Sequence, residues 1–209
     1  FGQGAIRCHP YVLAELESVD ENNLVKFDKA FFAHAGHFTS NAFRSFILSA
    51  TDGKLVRYHK DPLKRPIQIA TRYSANLAFL ADFCMFVFGS KLKLREKVSG
   101  RLADLLSMLY LTSSVLKQFH DDCRPNEDLV LVEWSYTNLL FKFEESMIEL
   151  INNFSSRWFR LLLKFILLPT GRKRQLPSDQ LGSKVSQILT TQNSTRNRMA
   201  QGLYLDKTA

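Results

Sequence analysis

The stretch LKLREKVSGRLADLLSMLYLTSSVLKQF, residues 92–119, decides the fold. Val98, Leu102, Leu105, Leu106, Leu109, Val115 and Leu116 recur at three- and four-residue intervals and form one apolar stripe. Lys93, Glu96, Lys97, Arg101 and Asp104 mark the polar side. A period of about 3.6 residues predicts an amphipathic helix and not a strand. The same period runs outward in both directions. Residues 5–18 place Ile6, Val12, Leu13 and Leu16 among polar residues, with Pro10 as an early-turn residue or a kink. Asn22 or Asn23 is placed to cap a long second helix carrying Leu24, Phe27, Phe31, Phe38, Phe43, Phe46 and Ile47, with Gly36 as a point of break or pinch. Residues 51–66 hold Asp-Gly, two prolines and many charges, and read as a loop. Residues 68–88 are strongly apolar, interrupted by Arg72, Asn76 and Asp82, and read as a helix buried on most sides and stopped near Gly89.

Residues 121–128, with Pro125, form a charged linker to another helix over 129–154, whose stripe is Val132, Leu139, Leu140, Phe143, Met147, Leu150 and Ile151. A helix over 155–168 follows and ends at Pro169-Thr170-Gly171. A short helix runs from Pro177-Ser178-Asp179 to Leu189, and a last turn or two lies in 193–201. These elements predict an all-α fold, an up-and-down bundle of four to five long helices with a short C-terminal helical extension. The chain reads as one helical domain over 1–209, a bundle over 1–168 and a basic loop with C-terminal extension over 169–209.

Composition agrees. The 209 residues are 45% hydrophobic and 23% charged, which excludes disordered and collagen-like chains. Only 9 Gly and 6 Pro argue against an all-β fold with many tight turns. Phe supplies 17 residues and carries no polar handle, so it is packing material for a core, a lipid or a partner. Cys8, Cys84 and Cys123 are odd in number and widely spaced, which points to a reducing compartment rather than a disulfide framework. No stretch reaches 18 uncharged apolar residues, so no transmembrane helix is expected. No signal peptide opens the chain, and its start at Phe1 reads as mid-protein.

Chemistry-bearing patterns are few. Gly2-Gln3-Gly4 lacks the preceding strand and third glycine of a phosphate loop. His34 and His37 share a helix face, but no carboxylate or cysteine on that helix completes a metal set, so no metal is expected. Cys8 and His9 are adjacent and diverge on a helix, so they form no nucleophile–base pair. Glu144-Glu145 and Asp121-Asp122 read as solvated surface pairs. No catalytic, cofactor-binding or metal-binding residue is assigned. The net charge of +8 lacks interleaved basic and aromatic clusters, so nucleic acid is not an expected partner.

One helix stands out. Arg157, Arg160 and Lys164 make a basic stripe, while Trp158, Phe159, Leu161, Leu162, Leu163, Phe165, Ile166, Leu167 and Leu168 cover the rest, and Arg172, Lys173 and Arg174 follow. This composition suits either an interfacial helix or a bundle helix buried on most of its circumference with its basic stripe in water. As candidate membrane or partner contacts it offers Trp158, Phe159, Arg160, Lys164, Phe165, Arg172, Lys173 and Arg174.

Four stretches together resemble one family: residues 2–11 (GQGAIRCHPY), 72–78 (RYSANLA), 101–104 (RLAD) with 109–111 (LYL), and 169–172 (PTGR) with 177–179 (PSD). The chain resembles the C-terminal helical domain of the large bacterial acyl-CoA dehydrogenases of fatty-acid β-oxidation, from Phe1 to about Leu205. The resemblance implies an FAD-dependent flavoprotein in which a glutamate removes the α-proton of an acyl-CoA and the flavin takes the β-hydrogen as hydride. That glutamate is expected upstream of Phe1, and no catalytic or FAD-binding residue is carried onto this chain. The region then packs on the dehydrogenase core of the same chain, supports a homodimer, and touches an anionic membrane surface at the cytoplasmic face of the inner membrane, as an accessory domain of a bacterial cytoplasmic enzyme. Alternatives are a contribution to an acyl tunnel or flavin contact across the dimer, and a stand-alone helical protein-binding module.

Overall fold

A computed structural model describes residue 4 and residues 8–58, 62–122 and 126–201. Gly2, Gln3, His59, Cys123 and Pro125 lie outside them. Eight α-helices are described: α1 (Val12–Asp20), α2 (Leu24–Ala50), α3 (Lys64–Phe88), α4 (Glu96–Asp121), α5 (Leu129–Asn152), α6 (Arg157–Leu167), α7 (Asp179–Thr190) and α8 (Ser194–Met199). No strand occurs among the described residues. The architecture is all-α and up-and-down, with each long helix packed on the next in sequence. The short helices attach to this frame: α1 on α2, α6 on both α2 and α5, and α7 on α5.

Local chemistry sets the boundaries. The Asn23 side chain accepts from the Lys26 N–H and starts α2. Ser156, Ser178 and Asn193 cap α6, α7 and α8 in the same way. Gly36 neither breaks nor pinches α2, which runs through it unbroken. The loop after α2 is shorter than its composition suggests, because Pro66 sits in the first turn of α3, where its missing N–H costs nothing. Residues 92–94 belong to a short 3₁₀ turn (Gly89–Leu94) that buries Leu92, and α4 begins two residues later.

α3 is the centre of the bundle. Ile69, Tyr73, Phe79, Leu80, Phe83 and Cys84 are buried along its length. Leu102 and Leu105 of α4, and Phe143, Met147 and Ile151 of α5, close over them. Phenylalanine rings tie the layers together: Phe83 meets Phe154 at 5.6 Å and Phe159 of α6 at 5.3 Å, both edge-on. The polar residues that interrupt this helix, Arg72, Asn76 and Asp82, are also buried, and each has polar partners. Asn76 accepts hydroxyl hydrogen bonds from Ser45 and Ser49 of α2 at 2.8 and 3.0 Å. No described helix is long and apolar enough to cross a membrane.

Phe143 is fully buried and packs on Tyr73 at 4.6 Å. Phe143→Ala is expected to lower stability by about 3–5 kcal/mol, read as a fall in the urea midpoint at unchanged slope.

Candidate functional site

α6 is apolar on two sides. Leu163 and Leu167 enter the core, with Phe159 and Ile166 half-buried beside them. On the opposite side Trp158 is 79% exposed and Phe165 63% exposed, with Leu161 and Leu162 between them. Arg157 and Lys164 reach solvent at one edge of this outer strip. Phe165 stacks on Phe46 of α2 at 5.2 Å, and Phe43, a turn earlier on α2, is itself exposed. Phe31 and Phe32 extend the exposed apolar surface along α2. Neither reading of the sequence describes this helix fully. Its basic edge faces water, as a bundle helix requires, yet about half of its apolar residues are uncovered as well.

Several residues offered as contacts are already engaged. Phe159 packs on Phe83. Arg160 turns back and donates to the carbonyls of Phe154 and Ser155 at 2.6 and 3.3 Å, fixing the link between α5 and α6. Arg174 donates to both carboxylate oxygens of Asp52, at 2.9 and 2.8 Å. Arg172 lies over the Phe141 ring at 4.8 Å and pairs with Glu145 at 3.4 Å. Lys173 is exposed and gives only its backbone N–H, to Glu144.

Asp52 explains why Arg174 folds inward. It sits in the turn after α2 at positive φ, followed by Gly53 at φ +74°. A Cβ on Gly53 would meet the Gln68 carbonyl oxygen at 2.3 Å, so only glycine fits there. The turn aims a buried carboxylate at three guanidiniums, those of Arg65, Arg72 and Arg174. Arg72 is fully buried, and its second arm donates to the Leu167 carbonyl, the end of α6, at 3.3 Å. Burial alone would raise the Asp52 pKa, but Arg174, Arg72 and Arg65 outweigh it and hold the carboxyl below its ordinary value. Glu144 completes the network and corrects its reading as surface. It is fully buried, accepts the Tyr73 hydroxyl at 2.7 Å, and accepts the Lys173 and Arg174 backbone N–H groups at 2.9 Å each. Glu145 next to it remains exposed.

A second polar cluster joins α1, α2 and α3. His37 gains partners that its own helix lacks: Asp82 of α3 at 3.7 Å, and His9, whose Nε2 lies 3.3 Å from Asp82. The three ligand atoms lie within 4.8 Å of one another, close to the spacing of a tetrahedral metal site. The tautomers argue against a metal. His9 Nδ1 accepts the N–H groups of Tyr11 and Val12 at 3.3 and 3.2 Å, so in the neutral ring the proton sits on Nε2, which then has no lone pair to offer. The Asn41 amide nitrogen lies 3.0 Å from His37 Nε2 and 2.6 Å from Asp82, and occupies the space between them. The sequence signal for this cluster is a lone acid inside an apolar helix.

An open apolar groove of about 750 Å³ runs between α3 and α4 past Leu63, Ile67, Leu77, Leu109 and Leu116, with Lys117 and His120 at one end. Cys8 and Cys84 are free thiols, and burial pushes the Cys84 pKa up to about 12.

Residues 6–209 match the family described as acyl-CoA dehydrogenase, C-terminal, bacterial type. No solved structure matches the chain.

Asp52→Asn leaves the buried Arg72 without its counter-charge and is expected to cost about 3–5 kcal/mol in chemical denaturation. Arg65→Ala, at a 40% exposed side chain, is expected to cost about 1 kcal/mol or less. Because the folded Asp52 pKa is depressed, its contribution is complete above the unfolded carboxyl pKa of about 3.9 and is lost as pH falls through the folded value. Acid titrations of stability should therefore diverge between wild type and Asp52→Asn above about pH 4 and converge below it.

Proposed function

Because the chain belongs to the bacterial-type acyl-CoA dehydrogenase C-terminal family, we propose that it is the accessory helical domain of an FAD-dependent dehydrogenase of fatty-acid β-oxidation, packing on the dehydrogenase core of the same chain and supporting its homodimer. The observation that carries this reading is the uncovered apolar strip of Trp158, Leu161, Leu162 and Phe165 on α6, beside Phe43 on α2. A soluble surface rarely leaves so many large apolar side chains contiguous unless something covers them.

The proton abstraction and hydride transfer of such an enzyme belong, in this reading, to the dehydrogenase core and not to these 209 residues. A flavin dinucleotide needs converging cations or backbone N–H donors for its pyrophosphate and polar contacts for its ring edge. The groove between α3 and α4 is lined mainly by apolar side chains, and its lysine, Lys117, is paired with Asp121 at 2.6 Å. The guanidiniums of Arg72, Arg172 and Arg174 are held by carboxylates. These residues do not fit the flavin, and FAD and acyl-CoA are assigned to the core.

A second occupant of the α6 strip is favoured by Trp158 at one end and by Arg157 and Lys164 at its edge. An anionic membrane surface suits an apolar face with an aromatic anchor and basic flanks, at about 1 kcal/mol per basic residue near the surface. That reading places the enzyme at the cytoplasmic face of the inner membrane, with Trp158, Phe165, Lys164 and the exposed Lys173 as its contacts.

Phe165→Glu in the full-length enzyme separates the two. If the strip meets the core or the partner subunit, thermal stability is expected to fall by several degrees and the dimer to weaken in light scattering. If it meets lipid, stability changes by less than about 0.5 kcal/mol and flotation with phosphatidylglycerol vesicles is lost. No change in any of these readouts would end the docking reading.

A further inference from the structure

We propose that His9 is a proton-sensitive fastener that seats α1 on α2 and α3 only while its ring is neutral. Both ring nitrogens have duties. Nδ1 accepts the N–H groups of Tyr11 and Val12 at the start of α1, which has no other side-chain cap. Nε2 faces the buried Asp82 carboxylate of α3 at 3.3 Å and is otherwise without a hydrogen-bond partner. The His9 side chain is only 5% exposed, so water does not replace either partner.

A second proton must go onto Nδ1. The imidazolium then presents an N–H to two backbone N–H groups, and a cap becomes a repulsion. The groups that face the ring set the balance. Asp82 from α3 favours the proton. His34 and His37 from α2, with ring centroids at 4.5 and 5.7 Å, oppose it. Glu15 of α1 is engaged with His34 at 2.9 Å, and the Tyr11 ring meets His9 edge-on at 6.1 Å. Burial is the largest influence and keeps the His9 pKa below its ordinary value of 6.5. Stability from the neutral ring is therefore complete above about pH 6.5 and declines as pH falls toward the folded pKa.

Opening this joint loosens α1 from α2, where Ala30 is buried and shares a cleft with Tyr11, Ala14 and Ser18 of the α1 segment. Released, α2 would add that face to its exposed Phe31 and Phe32. Acidification thus uncovers further apolar surface on α2, and its use for docking rests on the function proposed above.

Amide exchange of the full-length enzyme, corrected for the intrinsic pH dependence of exchange, tests the proposal. Protection of residues 12–16 should fall by about tenfold between about pH 7.5 and 5.5, while residues 102–116 of α4 stay protected. His9→Asn supplies a non-titrating cap and should retain protection of α1 at both pH values. An equal pH-dependent loss in His9→Asn overturns the proposal. Asp82→Asn provides an independent check. Without the carboxylate the ring holds its proton less well, so the transition should move to lower pH, and an unmoved midpoint counts against it. Zinc chloride that raises α1 protection in wild type but not in His9→Asn would show a free Nε2 lone pair and replace the fastener with a metal site.

Discussion

One carboxylate carries the arrangement. Arg72 is fully buried in the central helix, and a buried guanidinium without a counter-charge is not tolerated in a folded interior. Asp52 supplies that charge, and it can do so only because the turn after α2 holds it at positive φ with Gly53 pressed against the α3 backbone. The same carboxylate gathers Arg174, and Arg72 in turn holds the end of α6 through the Leu167 carbonyl. The orientation of α6, and hence which of its faces is covered, follows from this network as much as from apolar contact.

The elements were legible because their causes are local. Periodicity in residues 92–119 marked the core positions Leu102, Leu105, Leu109 and Leu116, which are buried. Asn23 marked the start of α2, and Gly89 and Gly171 marked stops at positive φ. The partnerships were not legible. Asp52 and Arg174 are 122 residues apart, and Tyr73 and Glu144 are 71 apart, so no window contains both. A run of three basic residues and a pair of glutamates look solvated until the fold shows that Arg174 and Glu144 have buried mates. The trace they left is Arg72, Asn76 and Asp82 within an otherwise apolar helix, each of which proves to be the centre of a polar cluster.

The function follows the same division. The family assignment rests on the whole chain, whereas the docking surface rests on which side chains the bundle leaves outside. Of the eight contact candidates read from sequence, Phe159, Arg160 and Arg174 serve the interior. Leu161 and Leu162 take a place in the outer strip that periodicity alone could not give them. An amphipathic pattern tells how many faces a helix has. It does not tell which of two apolar faces the remainder of the chain will choose.

The spread of the Asp52 partners along the chain also orders its biosynthesis. Arg65 and Arg72 lie 13 and 20 residues downstream and emerge from the ribosome soon after the carboxylate, whereas Arg174 follows more than a hundred residues later. Until then the carboxylate is already balanced by its two neighbours in sequence, and what is missing is the tie between the turn after α2 and the segment after α6. Local pairing thus comes first, and the long-range tie that joins the two ends of the bundle comes last.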